Sequence, residues 1–478
     1  MIFNSFQFLW LFPIIFAIYY MVNYFFSNRK CNPRASNILL LVISYLLYLQ
    51  WNPAYTLILL GVTLCTYFSA IIIENKKAYG KKKYIIYSGI VISLLPLIIF
   101  KYYNFIIDSF RTIFSHLGIE LGISGLNWAV PIGLSFFTFQ AIGYLWDVYY
   151  KKIEAERDLP NYMLFVAFFP QILSGPISKA SSLLPQIKSN RLFDYEKAVQ
   201  GLKMLLWGFF LKTVLADRLG IYVDTVYSNY QYYSGFTLFM TSIFYSFQIY
   251  GDFAGYSLMA IGVGRLLGFD LINNFNRPYF SASITEFWRR WHISLSTWLK
   301  DYIYIPLGGS RCSKTRSYYN IIITFLVSGI WHGANWTFII WGIIHGLIQV
   351  IEKILGMQKC ESKGLIKLSR IILTFLIVNF AWIFFRMPTI DSGFDVCIKI
   401  ITDFGGNFFR STNTDMALIF TGIAMVFFKE LFEEYYPDRI KLFNNKRIVI
   451  RWITYILIIA YMLLFGVFDS TQFIYVSF

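Results

Sequence analysis

Long apolar runs separated by short basic or polar stretches recur from one end of the chain to the other. Runs near 6–26, 37–51, 54–73 and 84–103 read as membrane helices. The loop after the first carries Arg29, Lys30 and Arg34 and no acid, whereas the turn at Asn52 and Pro53 is uncharged. The next loop carries Lys76, Lys77, Lys81, Lys82 and Lys83 against Glu74. Basic loops stay in the cytoplasm, so this alternation places the N-terminus outside and the loops near 30 and 80 inside. The first run lacks a basic start and a small-residue cleavage site, and reads as a retained span rather than a signal peptide.

Further along, the pattern is less regular. Residues 104–128 are mixed and belong outside; 127–150 opens on Pro131-Ile132-Gly133 and ends inside at Lys151 and Lys152. The run 165–172 is too short to cross and breaks at Ser174-Gly175-Pro176, so it reads as re-entrant or interfacial, with its broken backbone against protein or a water-filled cavity. Residues 201–216 rise outward, and 236–268 return with interruptions at Gly251-Asp252 and Gly255. Residues 270–317 are aromatic and basic, with a centre too polar to span. Residues 318–352 form a hairpin whose two ends are both basic, so both face the cytoplasm. Runs at 365–385, 417–432 and 448–468 complete the pattern, with an acid-bearing outer loop at 387–415. This predicts an all-α polytopic membrane protein with about 10–13 membrane helices, plus re-entrant and interfacial helices around a central funnel. Residues 1–478 read as a single integral unit without internal repeat or soluble domain.

Composition agrees. The 478 residues are 57% hydrophobic and 20% aromatic, with only 14% charged. A soluble domain of this size could not solvate such a surface. The runs are long rather than alternating, which excludes a β-barrel. The net charge of +16 is concentrated in short loops, so it points to topology, lipid headgroups or a phosphorylated donor, and not to nucleic acid. The five cysteines show no metal spacing; in this topology only Cys397 faces outward, so no disulfide framework is expected.

Four histidines are present: His116, His292, His332 and His345. His332 ends the first leg of the hairpin, in Gly329-Ile330-Trp331-His332-Gly333. That leg rises roughly 20 Å against a hydrocarbon core of about 30 Å, which puts the imidazole within the bilayer. An ionisable residue there marks a functional site, and a desolvated histidine stays neutral and able to accept a proton. His292 follows Arg289 and Arg290 among Trp288, Trp291 and Trp298. Its surroundings fit equally an interfacial aromatic belt and a phosphate-recognising surface that leads to a second active-site imidazole. His345 lies 13 residues beyond His332, roughly 20 Å along a helix, and reads as structural. His116 carries no signal. The spacings suit no metal site. Asp252 and Asp147 read as helix caps or as partners of an arginine, and the absence of a nucleotide-binding glycine motif argues against an ATP-driven pump.

The segment Phe287-Trp288-Arg289-Arg290-Trp291-His292-Ile293-Ser294-Leu295-Ser296, continuing to Pro306-Leu307-Gly308-Gly309, resembles the first signature of the membrane-bound O-acyltransferase (MBOAT) family. Trp331-His332-Gly333-Ala334-Asn335-Trp336, followed by Trp341-Gly342 and His345-Gly346, resembles the second. Pro131 to Phe136, Ser174 to Ile177 and the end at Asp469 to Tyr475 are similar to the bacterial branch that acetylates polysaccharide, although Val476 stands where another aromatic is expected. The resemblance implies His332 as the catalytic base, with His292 as its partner. It also implies a thioester donor, acetyl-CoA or a carrier-protein thioester, that arrives from the cytoplasm as substrate with no bound cofactor. Arg289, Arg290 and Lys300 would hold the donor's phosphates; Trp331, Asn335 and Trp291 would line the site. The acetyl group would reach a surface polysaccharide directly or through a separate extracytoplasmic acetyltransferase. D-alanyl transfer to teichoic acid from an acyl-carrier protein is the related alternative. A transporter or scaffold would need paired intramembrane charges or repeat symmetry, and neither is evident.

Overall fold

A computed structural model describes residue 3 and residues 5–27, 33–75, 80–173, 175–359, 363–437 and 443–468. Arg29, Lys30, Cys31, Lys76, Lys77, Ser174, Cys360 and the Asp469–Val476 end lie outside the described residues. All regular structure among those described is helical, and seven helices are long and apolar enough to cross a membrane. The chain divides into two compact units, residues 1–201 with 260–272, and residues 202–259 with 273–478.

The first unit contains α1 (Phe6–Val22), α2 (Arg34–Leu49), α3 (Pro53–Glu74), α4 (Lys82–Leu97), α5 (Tyr103–His116), α6 (Leu134–Tyr149), α7 (Leu159–Ala167), α8 (Phe169–Ile172) and α9 (Ala180–Lys188). A π turn at Ile98–Tyr102 joins α4 to α5 as one helix. The helix therefore runs on through residues that hydropathy assigns to an outer loop. The short run near 165–172 is the broken pair α7 and α8, buried throughout from Leu164 to Phe169. The break lies at Phe168, ahead of the expected one at Ser174-Gly175-Pro176, and is buried. Asp147 pairs with Lys152 at 3.1 Å.

Helices α10 (Tyr195–Phe210) and α11 (Asp217–Ser228) join through a π turn at Leu211–Ala216. The helix α12 (Gly235–Leu266) is continuous, so the expected interruption at Gly251 and Gly255 is absent. Those glycines serve close packing instead. A Cβ on Gly255 would lie 2.8 Å from the Gly208 carbonyl oxygen, and one on Gly251 would lie 3.0 Å from that of Leu211. The close approach brings Asp252 to Lys212, whose Nζ sits 2.7 Å from both Asp217 and Asp252. Asp252 is thus a lysine partner, in place of the expected cap or arginine partner.

The rest of the second unit begins with two short helices, α13 (Ile284–Arg290) and α14 (Ile293–Leu299), which do not span. The hairpin follows as α15 (Lys314–His332) and α16 (Trp336–Ile354). Added Cβ atoms on Gly329 and Gly342 would lie 2.3 Å and 2.4 Å from the Phe338 and Phe325 carbonyl oxygens. Small residues let the two backbones touch, the usual device for packing helices in lipid. Asn335 caps α16, its Oδ1 accepting from the Thr337 N–H at 3.0 Å. The helices α17 (Gly364–Arg386), α18 (Ile390–Thr402), α19 (Asn413–Tyr435) and α20 (Ile448–Phe465) complete the unit.

Candidate active site

The site lies within the second unit. Ser283 starts α13 by accepting the Glu286 N–H at 3.0 Å, and the helix stops at Arg290 because the chain turns sharply. His292 adopts a left-handed backbone, φ 43° and ψ 54°, which is uncommon away from glycine. Asn274 fixes that turn: its carbonyl accepts from Ile293 N–H at 2.9 Å and its Oδ1 from Ser294 N–H at 3.1 Å. Such a conformation costs about 1–3 kcal/mol and persists only where its surroundings enforce it, often at functional sites.

The turn delivers His292 to His332. Their ring centroids are 6.4 Å apart, with 61° between the planes, and the residues are 0% and 2% exposed. Forty residues of sequence separate them, so neither signature alone reveals the pair. His292 meets Phe253 edge-on at 4.6 Å and Trp331 at 5.8 Å. His332 meets Trp331, Trp341 and Phe385 at 4.9, 5.0 and 5.2 Å. Burial lowers the His292 pKa from its ordinary value, which favours the neutral ring.

A cavity of about 430 Å³ adjoins this pair. Neither imidazole lines it. Its wall includes Ile293, next to His292, and Ser328, one turn before His332. Arg289, Lys300 and Lys353 contribute three cations to the lining, which contains no carboxylate. Lys300 begins a π turn over Lys300–Tyr304, and Lys353 donates to Ser317 Oγ at 2.5 Å. Among the described residues neither Arg289 nor Lys300 has an ion-pair partner. The lining is therefore electropositive, with an apolar and hydroxyl-bearing wall of Phe325, Thr324 and Ser328.

Other expected site residues are placed differently. Arg290 is absent from the cavity lining and is held by Glu286 at 2.7 Å and Glu434 at 3.0 Å. Trp291 is fully buried, stacked on Phe287 at 5.5 Å and close to Trp382 at 5.1 Å. Asn335 caps α16 and donates to the Pro388 carbonyl at 2.8 Å. Trp331 does lie beside both histidines. His345 is nearer than its sequence separation suggests. It and His332 each sit 5.0 Å from the ring of Trp341, because the hairpin folds the second leg back along the first.

Sequence reasoning missed Lys353 and Ser328. A signal was available for the serine. Asn320, Thr324, Ser328 and His332 recur every four residues, which draws a polar stripe down one face of an apolar helix.

The model of the "MBOAT, membrane-bound O-acyltransferase family" matches residues 2–387. The "Probable alginate O-acetylase AlgI" of Pseudomonas aeruginosa is 38% identical over 394 residues, covering 82% of this chain and 73% of that protein. The "Peptidoglycan O-acetyltransferase" of Helicobacter pylori is 34% identical over 427 residues, covering 83% and 79%. The "Teichoic acid D-alanyltransferase" of Streptococcus thermophilus is 33% identical over 234 residues, covering 46% and 56%.

Proposed function

The chain belongs to the membrane-bound O-acyltransferase family and is a multi-pass membrane O-acyltransferase, and from that premise we propose that it moves an acetyl group from a cytoplasmic thioester donor to a surface polysaccharide outside. The observation that carries this reading is the acid-free, three-cation cavity that ends one helical turn from the His292–His332 pair. Lys353 and Tyr304 lie at the basic end of the hairpin, beside Ser317. Basic flanks mark the cytoplasmic side, so the donor enters there. Phosphates of coenzyme A or of a carrier protein's prosthetic arm meet Arg289, Lys300 and Lys353, with the arginine able to bind two oxygens at once. The thioester end then has one turn left to cover, about 6 Å from Ser328 to His332.

His332 takes the proton from an acceptor hydroxyl. The oxygen attacks the thioester carbonyl, the carbon–sulfur bond breaks, and the departing thiolate recovers the proton from the imidazolium. General-base help of this kind contributes typically about 10²–10⁴-fold. His292 orients the acceptor or stabilises charge on the carbonyl oxygen. Arg290 already has two carboxylate partners, so it secures α13 and does not bind the donor. A separate extracytoplasmic acetyltransferase receives the group when the final acceptor is a polymer beyond reach of the membrane.

Two of the relatives are named as a probable alginate O-acetylase and a peptidoglycan O-acetyltransferase and cover more than four fifths of this chain, whereas teichoic acid D-alanyltransferases cover 46% of it at 33% identity or 61% at 26%. Acetyl is therefore favoured over D-alanyl. The test is to supply permeabilised cells with labelled acetyl-coenzyme A or with a labelled D-alanyl carrier protein. Label from acetyl-coenzyme A in the extracted surface polymer, dependent on this chain, is the expected result. Label only from the D-alanyl carrier would replace acetylation with the alternative.

A further inference from the structure

The helix α16 carries a row of residues that the proposed chemistry does not use. Trp341, His345 and Glu352 are buried on one side of it, at spacings of four and seven. Trp341 packs against His332. The other two reach α13. Trp288 Nε1 donates to His345 Nδ1 at 3.3 Å, and the imidazole stands edge-on to that indole with centroids 5.1 Å apart. Two turns further along, the Glu352 carboxylate accepts from the Ile284 N–H at 2.5 Å. It also accepts from the Thr285 N–H at 3.0 Å and the Thr285 hydroxyl at 2.8 Å. Gln358 donates to the same hydroxyl at 2.9 Å.

These contacts fall on the element that builds the site. Thr285, Trp288 and Arg289 of α13 all line the cavity, and the turn that follows α13 holds His292 opposite His332. A seven-residue helix has few internal hydrogen bonds and cannot hold its own register. Glu352 satisfies backbone donors at its first turn, where the chain has no helical partner for them. The hydrogen bond to Nδ1 also sets the histidine's tautomer, since a neutral ring that accepts at one nitrogen carries its proton on the other. His345 therefore presents a fixed acceptor to Trp288. We infer that His345 and Glu352 are positioning residues that clamp α13 at two points, so that Trp288 and Arg289 shape the donor cavity, while the turn at His292 is held separately by Asn274.

The inference rests on the reading of that cavity as the donor site, and it predicts a particular kinetic pattern. Loss of the His345 acceptor frees the Trp288 indole and loosens the donor site, while the proton-transfer pair stays intact. His345→Leu should raise the acetyl-coenzyme A concentration for half-maximal transfer about fivefold, the worth of one hydrogen bond, with the maximal rate little changed. His345→Asn restores an acceptor near the Nδ1 position and should recover most of the loss. Trp288→Phe should show the same increase, and adding it to His345→Leu should bring little more, as for two residues that act through one contact. A fall in maximal rate with unchanged half-saturation would make His345 a participant in the chemistry and overturn the clamp. Equal behaviour of the Leu and Asn variants would overturn it too.

Hydrogen exchange of the Ile284 and Thr285 amides reads the clamp without any donor. Glu352→Gln should speed it, and unchanged protection would contradict the role of Glu352. If wild-type protein transfers acetyl but the variants fail these patterns, the clamp alone falls. If wild-type protein transfers no acyl group while exchange responds as described, the clamp stands and the acyl-transfer reading falls.

Discussion

Two buried polar clusters in the second unit invite comparison. In one, Lys212 lies between Asp217 and Asp252, all three almost completely buried, at 2.7 Å from each carboxylate. In the other, His292 and His332 face each other at 6.4 Å within Phe253, Trp331, Trp341 and Phe385. Both bury ionisable groups among apolar helices, where such groups are costly. The first pairs one lysine with both carboxylates and ties the Leu211–Ala216 turn and α11 to α12. The second surrounds two imidazoles with aromatic groups and lies beside an electropositive cavity. Burial marks both; adjacency to an electropositive cavity distinguishes the histidine pair from the joint.

The comparison breaks first at His332. His332→Ala should lower acyl transfer by about 10²–10⁴-fold, with the protein still present in the membrane at its normal level. Near-normal turnover would put the histidine pair in the same structural class as the lysine triad. The triad should respond in the opposite way. Lys212→Met leaves two carboxylates buried without their cation, a change that costs about 3–5 kcal/mol. It should reduce the folded, membrane-extracted protein while the surviving fraction keeps its transfer rate per molecule. The smallest effect is expected when Lys212→Met is combined with Asp217→Leu and Asp252→Leu. Replacing a whole buried ion cluster by apolar groups is often nearly neutral, and recovery of folded protein, measured by thermal unfolding in detergent, would confirm a joint. Loss of activity in the well-folded triple variant would instead assign the triad to the chemistry.

Much of this was readable before any coordinates. His332 at the tip of a hairpin, His292 after two arginines, and the all-helical membrane architecture follow from hydropathy, loop charge and motif. Pairwise partners do not. Asp252 between glycines looks like a break, because sequence cannot show that Gly251 and Gly255 abut another helix and leave α12 unbroken. Arg289 and Arg290 look equivalent, yet adjacent helical residues point about 100° apart, so one lines the cavity and the other meets Glu286 and Glu434. The distance assigned to His345 assumed a straight path, whereas the turn at 333–335 folds the helix back. Helices at Lys82–His116 and Tyr195–Ser228 run past the expected membrane boundaries, since helix geometry continues wherever packing supports it.

The central claim is that the cavity beside α13 brings the donor to the histidine pair. Its most direct test is the rate at which a maleimide labels Ser328→Cys, in a chain whose five native cysteines are serine, with and without desulfo-coenzyme A. The account predicts labelling from the cytoplasmic side, slowed about tenfold at a concentration near ten times the dissociation constant. A labelling rate that desulfo-coenzyme A leaves unchanged, in protein that still transfers acetyl, would contradict it.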